Sequence, residues 1–351
     1  MPQRGRRVLA SVSADRVVVA PFTGHAERPL WSVMIPTYNC AAFLRETLAS
    51  VLRQDPGPQR MQIVVVDDHS TDDDPAQVIS EFGRKRVAFY RQSHHVGYIR
   101  NFETCLSRAE GRLIHLLHGD DYVLDGFYRR LESAFASAPG IGAAFCRHLY
   151  VDEGGQLLSV SELELPESGI VPDWLCLIAS GQRVVTPSIV VRRDVYEALG
   201  GFDRRFTCAG EDWEMWVRIA VHYPVWFETE PLAAYRVKRK GALTEQAAKS
   251  TQLVADMRRA TEIIESYLPA FLPRRAARRA VGRAREMYAS WSLEGVARAF
   301  QTNDLAAVTA YAQEALRCSK SLRTLRSAAR IMTGEGVRYA RRRFTSRRKS
   351  Q

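Results

Sequence analysis

Two pairs of acidic residues stand directly after apolar runs in the sequence. Asp67 and Asp68 follow the β-branched run 63–66, and Asp120 and Asp121 follow a second apolar run. Adjacent carboxylates at a strand end repel each other, and a divalent cation held by hard oxygen ligands removes that cost. A turn that caps the next helix would use the same residue types, because Asp and Ser form such turns readily. Each pair is therefore a candidate for binding a polar ligand or a metal, with a capping turn as the alternative.

A third acidic pair and a single arginine could also do chemistry. Glu211 and Asp212 precede a helical stretch rich in tryptophan, where a general base could be aimed into a cleft. The alternative is an acidic first helical turn, which the helix dipole favours. Arg100 stands at the start of another predicted helix, after Gly97. An arginine at that position suits a phosphate group, and the alternative is an ordinary surface arginine.

Strand ends are the elements that could bring these residues together. From residue 31 to residue 117, short apolar runs alternate with stretches of helical spacing. This alternation predicts an α/β fold with a Rossmann-like, mostly parallel central sheet flanked by helices. Ligands in such folds bind beyond the carboxyl ends of the strands. Residues 36–39 end the first predicted strand and the two Asp pairs end later ones, so we expect three strand ends to meet in one crevice.

The composition is that of a globular protein with a substantial core. The chain has 351 residues, of which 46% are hydrophobic and 25% are charged, and this length favours about two domains. Six scattered cysteines without a CxxC pair argue against a zinc site or a disulfide framework and fit a reducing cytosol. No apolar run approaches the roughly 20 residues of a membrane-spanning helix, and the run 17–22 is too short for a secretory segment.

The charge is unevenly distributed and indicates where the chain divides. Residues 241–351 carry 22 Lys and Arg against 9 Asp and Glu, whereas residues 31–240 carry 23 against 28. We predict a loose basic leader over 1–29, an α/β domain over 30–240 and a basic helical region over 241–351. Such an asymmetry is typical of two parts with different partners.

The C-terminal region is helical in pattern and basic on one face. Residues 276–300 and 305–317 are predicted to form an antiparallel helical pair. Around the start of the first helix, four arginines fall on one face beside an alanine-rich face. These are Arg274, Arg275, Arg278 and Arg279. Such a face could bind anionic lipid, a phosphorylated substrate or nucleic acid, or it could be solvated without a partner.

Four blocks of the sequence resemble glycosyltransferase family 2 in their order and spacing. They are WSVMIPTYNC at 31–40, IVVVDDHSTDDD at 63–74, LIHLLHGDDY at 113–122 and GEDWEMWVRIA at 210–220, and the linking piece TPSIVVRRDVYEALGGFD at 186–203 is also similar. The resemblance covers 31–237. It implies the glycosyltransferase-A fold, a sugar donor linked to UDP, dTDP or GDP, and inversion at the anomeric carbon. The Gln-x-x-Arg-Trp block of processive synthases is absent, which favours transfer of a single sugar.

The resemblance also implies roles for individual residues on the nucleotide side. Pro36 and Tyr38 would frame the nucleoside, and Asp68 would bind the base. Arg100 would lie near the nucleotide. Residues 30–240 would then form the nucleotide-sugar-binding catalytic domain.

The remaining acidic residues are assigned by the same resemblance. Asp120 and Asp121 occupy the Asp-x-Asp region, whose carboxylates hold Mn²⁺ or Mg²⁺ on the diphosphate of the donor. Asp212 matches the catalytic base, and Glu211 is its neighbour. Departure of a nucleotide diphosphate builds negative charge that a metal neutralises, while the base removes the proton of the attacking acceptor hydroxyl.

Two positions depart from the family pattern. The Asp-x-Asp region usually begins with Asp, whereas this chain has His118 there. Members often carry a histidine shortly after the Tyr-Arg that ends a late strand, whereas this chain continues with Lys238. A protonated lysine does not ligate a metal but neutralises phosphate directly, so Lys238 or Arg236 is an alternative source of positive charge.

Other classes of function remain as alternatives. A sugar-nucleotide-binding protein without catalysis would conserve the donor site but not need Asp212. A phospho-receiver signalling module would explain the acidic strand ends, but it needs a lysine on a later strand, and none occurs between Lys85 and Lys238. We expect a glycan or lipid-linked acceptor from cell-surface polysaccharide or glycolipid assembly. The expected location is the cytoplasm, with the basic helices at the inner face of the membrane, and no specific nucleic-acid partner.

Overall fold

The chain folds into two compact units, each made from more than one stretch of sequence. The computed structural model describes residues 15–23, 27–83 and 85–347. Unit 1 holds the residues up to 174 together with 183–205 and 215–239, and unit 2 holds 175–182, 206–214 and the residues from 240 onward. Two short segments that precede residue 240 thus belong to unit 2.

The helices and strands have the following bounds. The strands of the described residues are β1 (Trp31–Thr37), β2 (Met61–Asp67), β3 (Ala88–Arg91), β4 (Leu113–Leu116), β5 (Tyr122–Val123), β6 (Ala143–Val151), β7 (Leu157–Val160), β8 (Gly169–Ile170), β9 (Ile189–Arg192) and β10 (Val225–Arg236). The helices of the same residues are α1 (Ala41–Leu52), α2 (Pro75–Phe82), α3 (Tyr98–Arg108), α4 (Phe127–Ser137), α5 (Trp174–Ile178), α6 (Arg193–Leu199), α7 (Glu211–His222), α8 (Leu243–Ala247), α9 (Gln252–Tyr267), α10 (Arg274–Gln301), α11 (Leu305–Cys318) and α12 (Leu322–Arg347). Short 3₁₀ turns lie at Thr186–Ser188 and Leu268–Ala270.

The strands form one mixed sheet in unit 1. Their order is β3-β2-β1-β4-β9-β6-β10-β5, with β7 beside β6 and β8 beside β10. The first four strands pair in parallel, and so do β6 and β10. Strand β9 is antiparallel to both β4 and β6, and β5 is antiparallel to β10. The predicted α/β class with a central sheet flanked by helices is confirmed, and antiparallel strands join its parallel part.

The strand order positions the candidate residues. Strand β1 lies between β2 and β4, with Thr37 opposite Asp67 and Met34 opposite Leu116. The segments that follow these three parallel strands therefore leave the sheet side by side at one edge. Apolar side chains hold this part together, because β1 and β2 are buried almost throughout and pack against the buried stripe of α1 that includes Leu44.

Unit 2 is built mainly from the C-terminal helices. The predicted helical pair is observed as α10 and α11, which a short turn at 302–304 connects. Leu293, Val296 and Phe300 of α10 form a buried cluster with Val308 and Tyr311 of α11. In the described part of the chain, no helix combines the length and the apolar character needed to cross a bilayer.

Part of the N-terminal leader is bound to unit 1. The carbonyl oxygens of Asp15 and Val17 accept the backbone N–H groups of Arg204 and Gly201, both at 2.8 Å. The prediction of a loose leader over 1–29 therefore does not hold for 15–23, because backbone hydrogen bonds attach this segment. Residues 1–14 and 24–26 of that prediction lie outside the described residues.

Candidate active site

The loop after β4 carries the second Asp pair and is fixed from two sides. The Gly119 N–H donates to the carbonyl of Pro36 at 3.0 Å, at the end of β1. The Thr47 hydroxyl of α1 lies 2.7 Å from the carbonyl of Asp121 and 3.1 Å from that of Gly119. A Cβ at Gly119 would lie 2.9 Å from Thr37 Oγ1, so the close approach of this loop to β1 requires glycine.

This loop gathers three potential metal ligands. One ligand atom from each of His118, Asp120 and Asp121 lies within 4.8 Å of the others. Asp121 is buried, and its Oδ1 accepts the backbone N–H of Arg236 at 2.8 Å. Its Oδ2 lies 3.3 Å from Nδ1 of His118 and accepts no hydrogen bond of normal geometry from the described residues. A buried carboxylate oxygen to which no described residue donates a hydrogen bond is suited to binding a cation.

The electrostatics of Asp121 are dominated by its burial. Burial raises the pKa of Asp121 to about 6, the nearby His118 side chain opposes this shift, and the charge of Asp120 adds to it. A bound cation would hold this carboxylate in its charged form, because an opposite charge at close range favours ionisation.

A positively charged side chain of the protein already pairs with the carboxylate of Asp120. Arg239 Nε donates to Asp120 Oδ2 at 2.8 Å, whereas Arg236 donates to the backbone carbonyl of Asp120 and Lys238 is exposed. Arg236 thus also contacts this loop, and the side chain that contacts the Asp120 carboxylate is that of Arg239, which was not identified from the sequence. The basic run 236–240 after the last strand is the sequence signal that could have identified it.

The two carboxylates of the first Asp pair accept hydrogen bonds from different segments of the chain. Asp67 accepts hydrogen bonds from the Ser70 hydroxyl at 2.5 Å and from Arg91 Nε at 2.6 Å, which closes a turn but does not cap the next helix as the alternative interpretation expected. Asp68 does not cap the next helix, because Asp74 does so. Asp68 instead accepts the backbone N–H groups of Val96 and Gly97, at 2.8 and 3.0 Å. These bonds fix the start of α3.

The nucleotide-side residues lie around these strand ends. Tyr38 is 41% exposed, and its ring centroid lies 4.4 Å from that of His95. His95 Nδ1 in turn lies 3.0 Å from Asp68 Oδ2, and burial raises the pKa of Asp68. Arg100 lies in the first turn of α3 and is exposed, whereas Pro36 is buried. Tyr38 and His95 thus offer an exposed aromatic surface, and no role beside Tyr38 was predicted for His95 from the sequence.

Glu211 and Asp212 lie in unit 2, at the start of α7. Both are largely buried, in the acidic first turn that the helix dipole favours. Asp212 Oδ2 accepts a hydrogen bond from Gln182 Nε2 at 2.7 Å, and Asp212 Oδ1 accepts one from the backbone N–H of Trp213 at 2.7 Å. Gln182 was not identified from the sequence, and no motif there signals it.

The donor set of the β4 loop fits a divalent cation. Two carboxylates supply hard oxygen ligands, which Mg²⁺ and Mn²⁺ prefer. The imidazole of His118 adds a nitrogen ligand, which Mn²⁺ accepts more readily than Mg²⁺. His118 therefore offers a donor that such a cation accepts, although it stands where the family pattern has Asp.

Solved structures of two glycosyltransferases share the fold of this chain. The structure of TarS residues 1–349 from Staphylococcus aureus is 15% identical, covers 92% of each chain and has a TM-score of 0.62. The mannosyltransferase PcManGT from Pyrobaculum calidifontis, solved with GDP-Man and Mn²⁺, is 20% identical over 89% of this chain and 87% of its own, with a TM-score of 0.50. At this level of identity the likeness shows the fold alone.

Sequence comparison connects the chain to named families. The O-antigen biosynthesis protein RfbC from Myxococcus xanthus is 25% identical over 210 residues, which are 54% of this chain and 16% of that protein. The matched segments span 36%, 16% and 41% of the first three curated relatives, so each relative contains much that this chain does not match. Residues 32–200, just under half of the chain, match the family model described as glycosyl transferase family 2, so these residues form a domain of that family.

Proposed function

We propose that the chain transfers one sugar from a nucleotide-diphosphate sugar to a hydroxyl group of an acceptor, with inversion at the anomeric carbon. The observation that carries the proposal is the cluster of His118, Asp120 and Asp121 beyond β4, beside the exposed Tyr38 that follows β1. A metal-ligand set and an aromatic surface at adjacent strand ends suit a diphosphate and a nucleoside, respectively.

The donor would be bound by the strand ends of unit 1. The aromatic face of Tyr38 would stack on the base, as Tyr commonly does with flat ligands. The carboxylate of Asp68 holds the loop 95–97, and its remaining lone pairs would accept a hydrogen bond from the base. Arg100, exposed at the start of α3, would contact the phosphates, as would Arg239 once it leaves Asp120. The bases and sugars in the titles of the structural neighbours differ, so the donor is proposed only as a class.

The metal would be held by Asp120 and Asp121, with His118 as a third ligand. When bound, Mn²⁺ or Mg²⁺ offsets the negative charge that builds on the departing diphosphate. PcManGT, a structural neighbour solved with Mn²⁺, supports this choice. The Arg239 side chain must release or share Asp120 for the site to fill, because it now occupies one oxygen of that carboxylate.

Asp212 would act as the general base, with Glu211 beside it in the same helical turn. The carboxylate takes the proton of the acceptor hydroxyl while that oxygen forms a bond to the anomeric carbon. The bond between the anomeric carbon and the phosphate oxygen breaks on the opposite face, and its electron pair leaves with the nucleotide diphosphate. One sugar is transferred, one proton passes to Asp212, and the configuration inverts.

The acceptor is proposed to be a glycan or a lipid-linked glycan, in cell-surface polysaccharide or glycolipid assembly. The similarity to the O-antigen biosynthesis protein RfbC supports this class. The basic face predicted on α10 is present in unit 2, because Arg274, Arg275, Arg278 and Arg279 are all exposed. Phe271, 47% exposed, precedes them. Aromatic and basic side chains together favour the surface of an anionic membrane, so a peripheral cytoplasmic location is proposed.

The test of the proposed function is the Asp212→Asn variant. The substitution keeps the shape of the side chain, but it replaces one of the two accepting oxygens by an NH2 group and removes the proton acceptor. Turnover, measured as release of nucleoside diphosphate, should fall by about 10²- to 10⁴-fold, the usual contribution of general-base catalysis. Donor affinity should stay near the wild-type value. Near-normal turnover would reject Asp212 as the base, and donor binding without any turnover in the wild type would favour the non-catalytic alternative.

A further inference from the structure

A glutamine outside the sequence motifs holds the candidate base. Gln182 Nε2 donates to Asp212 Oδ2 at 2.7 Å, while the backbone N–H of Trp213 donates to Oδ1 at 2.7 Å. Both oxygens of the carboxylate are therefore held by donors within unit 2, which fixes the plane of the carboxylate. Removing the Gln182 donor would take away one of these two hydrogen bonds, and the terminal torsion of an Asp side chain is soft.

Gln182 is in turn held by a C-terminal helix. Its backbone N–H donates to the Tyr288 hydroxyl of α10 at 3.1 Å, and Tyr288 is fully buried. A Cβ at Gly181 would lie 2.3 Å from the terminal carbon of Met287, and Gly181 has φ +154°. The flexible end of the Met287 side chain could move aside, so it is the backbone conformation of Gly181 that favours glycine.

The segment that leads into Asp212 is held by the preceding helix. Asp256 of α9 is fully buried, and its Oδ2 accepts the backbone N–H groups of Thr207 and Cys208, both at 2.8 Å. Charge-assisted hydrogen bonds of this kind are roughly twice as strong as neutral ones. Trp213 Nε1 adds a bond to the carbonyl of Ile178 at 2.6 Å, which ties the two short segments of unit 2 to each other.

We infer that Gln182 is a positioning residue for Asp212, and that α9 and α10 hold the segments that carry both residues in place. The inference rests on the proposed role of Asp212 as the base. It gives the C-terminal helices a part in the reaction besides any contact with a membrane. A base that is held in place needs no reorientation before it removes a proton, whereas a small misplacement costs up to about a hundredfold in rate.

The test is the Gln182→Leu variant, which keeps the size of the side chain but removes its donor. We expect kcat to fall by about 10- to 100-fold with KM for the donor unchanged, because the donor is assigned to unit 1. Gln182→Met, unbranched like glutamine, should behave in the same way. Tyr288→Phe should lower kcat less, since it acts one hydrogen bond further away. Gln313→Leu is the control, because Gln313 is an exposed glutamine of the same unit, and it should leave kcat unchanged.

A double-variant cycle separates positioning from a structural effect. In the Asp212→Asn background, Gln182→Leu should cost almost nothing further, since its effect passes through the base. An equal loss in both backgrounds, or a loss that appears in KM rather than kcat, would overturn the inference. If Asp212→Asn is inactive while both Gln182 variants turn over normally, only this inference fails. If Asp212→Asn keeps normal turnover, the proposed base fails and the inference fails with it.

Discussion

At the scale of single residues, the contact between Arg239 and Asp120 has a measurable consequence. A guanidinium on a metal-ligand carboxylate competes with the metal for the same oxygen. Arg239→Met should therefore raise the affinity for Mn²⁺, measured by calorimetry without nucleotide, by several-fold, the effect of about 1 kcal/mol in a partly exposed ion pair. Asp121→Asn should lower the same affinity.

The neighbouring lysine supplies a matched control for this prediction. Lys238→Met removes the same charge one residue away, but Lys238 is exposed, whereas Arg239 contacts Asp120. We expect Lys238→Met to change Mn²⁺ affinity much less than Arg239→Met does. Equal gains from both variants would show a general charge effect instead of competition at Asp120.

His115 should make the stability of the protein depend on pH. Its two ring nitrogens contact the Tyr128 hydroxyl and the Pro187 carbonyl, at 3.2 and 3.0 Å, and burial lowers its pKa to about 3. Below the ordinary histidine pKa of about 6.5, the unfolded chain binds a proton that the folded chain does not. This residue therefore lowers the free energy of unfolding by up to about 1.4 kcal/mol for each pH unit from 6.5 downward.

Urea denaturation of wild type and His115→Phe from pH 7 to pH 5 measures this contribution. The variant loses two hydrogen bonds and should be less stable at pH 7, but its stability should fall less steeply towards pH 5. Comparison with the variant removes the contributions of other titrating groups such as Asp121, whose raised pKa acts in the opposite sense. Parallel profiles for the two proteins would contradict a neutral, buried His115.

At the scale of the elements, two glycines of α10 make a matched pair. A Cβ at Gly295 would lie 2.5 Å from the Tyr311 ring of α11, whereas a Cβ at Gly282 would meet nothing within 4 Å. Alanine is the better helix former by about 1 kcal/mol. Gly282→Ala should therefore stabilise the protein by up to about that amount, while Gly295→Ala should destabilise it by about 1–3 kcal/mol through overpacking.

Chemical denaturation of both variants tests how α10 packs on α11. A stabilising effect of Gly295→Ala would show that the two helices separate at this point without cost. A destabilising effect of Gly282→Ala would show that this part of α10 has neighbours besides those of unit 2 that the structure describes.

The elements also show which features the sequence could predict. Apolar runs predicted β1, β2 and β4, and the polar residues after them lie at neighbouring strand ends because β1 is between the other two. The same runs do not encode the direction in which strands pair. The antiparallel pairing of β9 with β4 and β6 could therefore not be predicted from the sequence. Asp68 was assigned by resemblance, but its bonds to loop 95–97 depend on tertiary contacts.

At the scale of the whole molecule, the division into units does not follow the order of the chain. The change in charge near residue 240 predicted a boundary there, but segments 175–182 and 206–214 belong with the C-terminal helices. Composition could not reveal this, because neither segment is basic or helical throughout. Gln182 and Asp256 could not be identified from the sequence either, because their importance lies in long-range hydrogen bonds.

The basic face of α10 predicts how the whole protein behaves with membranes. Residues 266–283 contain five arginines and no acidic residue, and each basic residue near an anionic surface contributes about 1 kcal/mol. The protein should sediment with anionic vesicles, and salt should release it. Replacing Arg274, Arg275, Arg278 and Arg279 by Gln should abolish this binding, and Phe271→Ala should weaken it, unlike Phe82→Ala on unit 1. Equal recovery in the supernatant with anionic and neutral vesicles would contradict membrane association.

The most direct test of the central claim is thermal and chemical unfolding of the full chain with a panel of nucleotide-diphosphate sugars, with and without Mn²⁺. A ligand at 100 times its dissociation constant adds about 2.7 kcal/mol to the free energy of unfolding. We expect at least one member of the panel to stabilise the protein, more strongly with Mn²⁺, and the Mn²⁺-dependent part to vanish in the Asp120→Asn, Asp121→Asn double variant. Failure of every nucleotide sugar to stabilise the wild type under any metal condition would contradict the account.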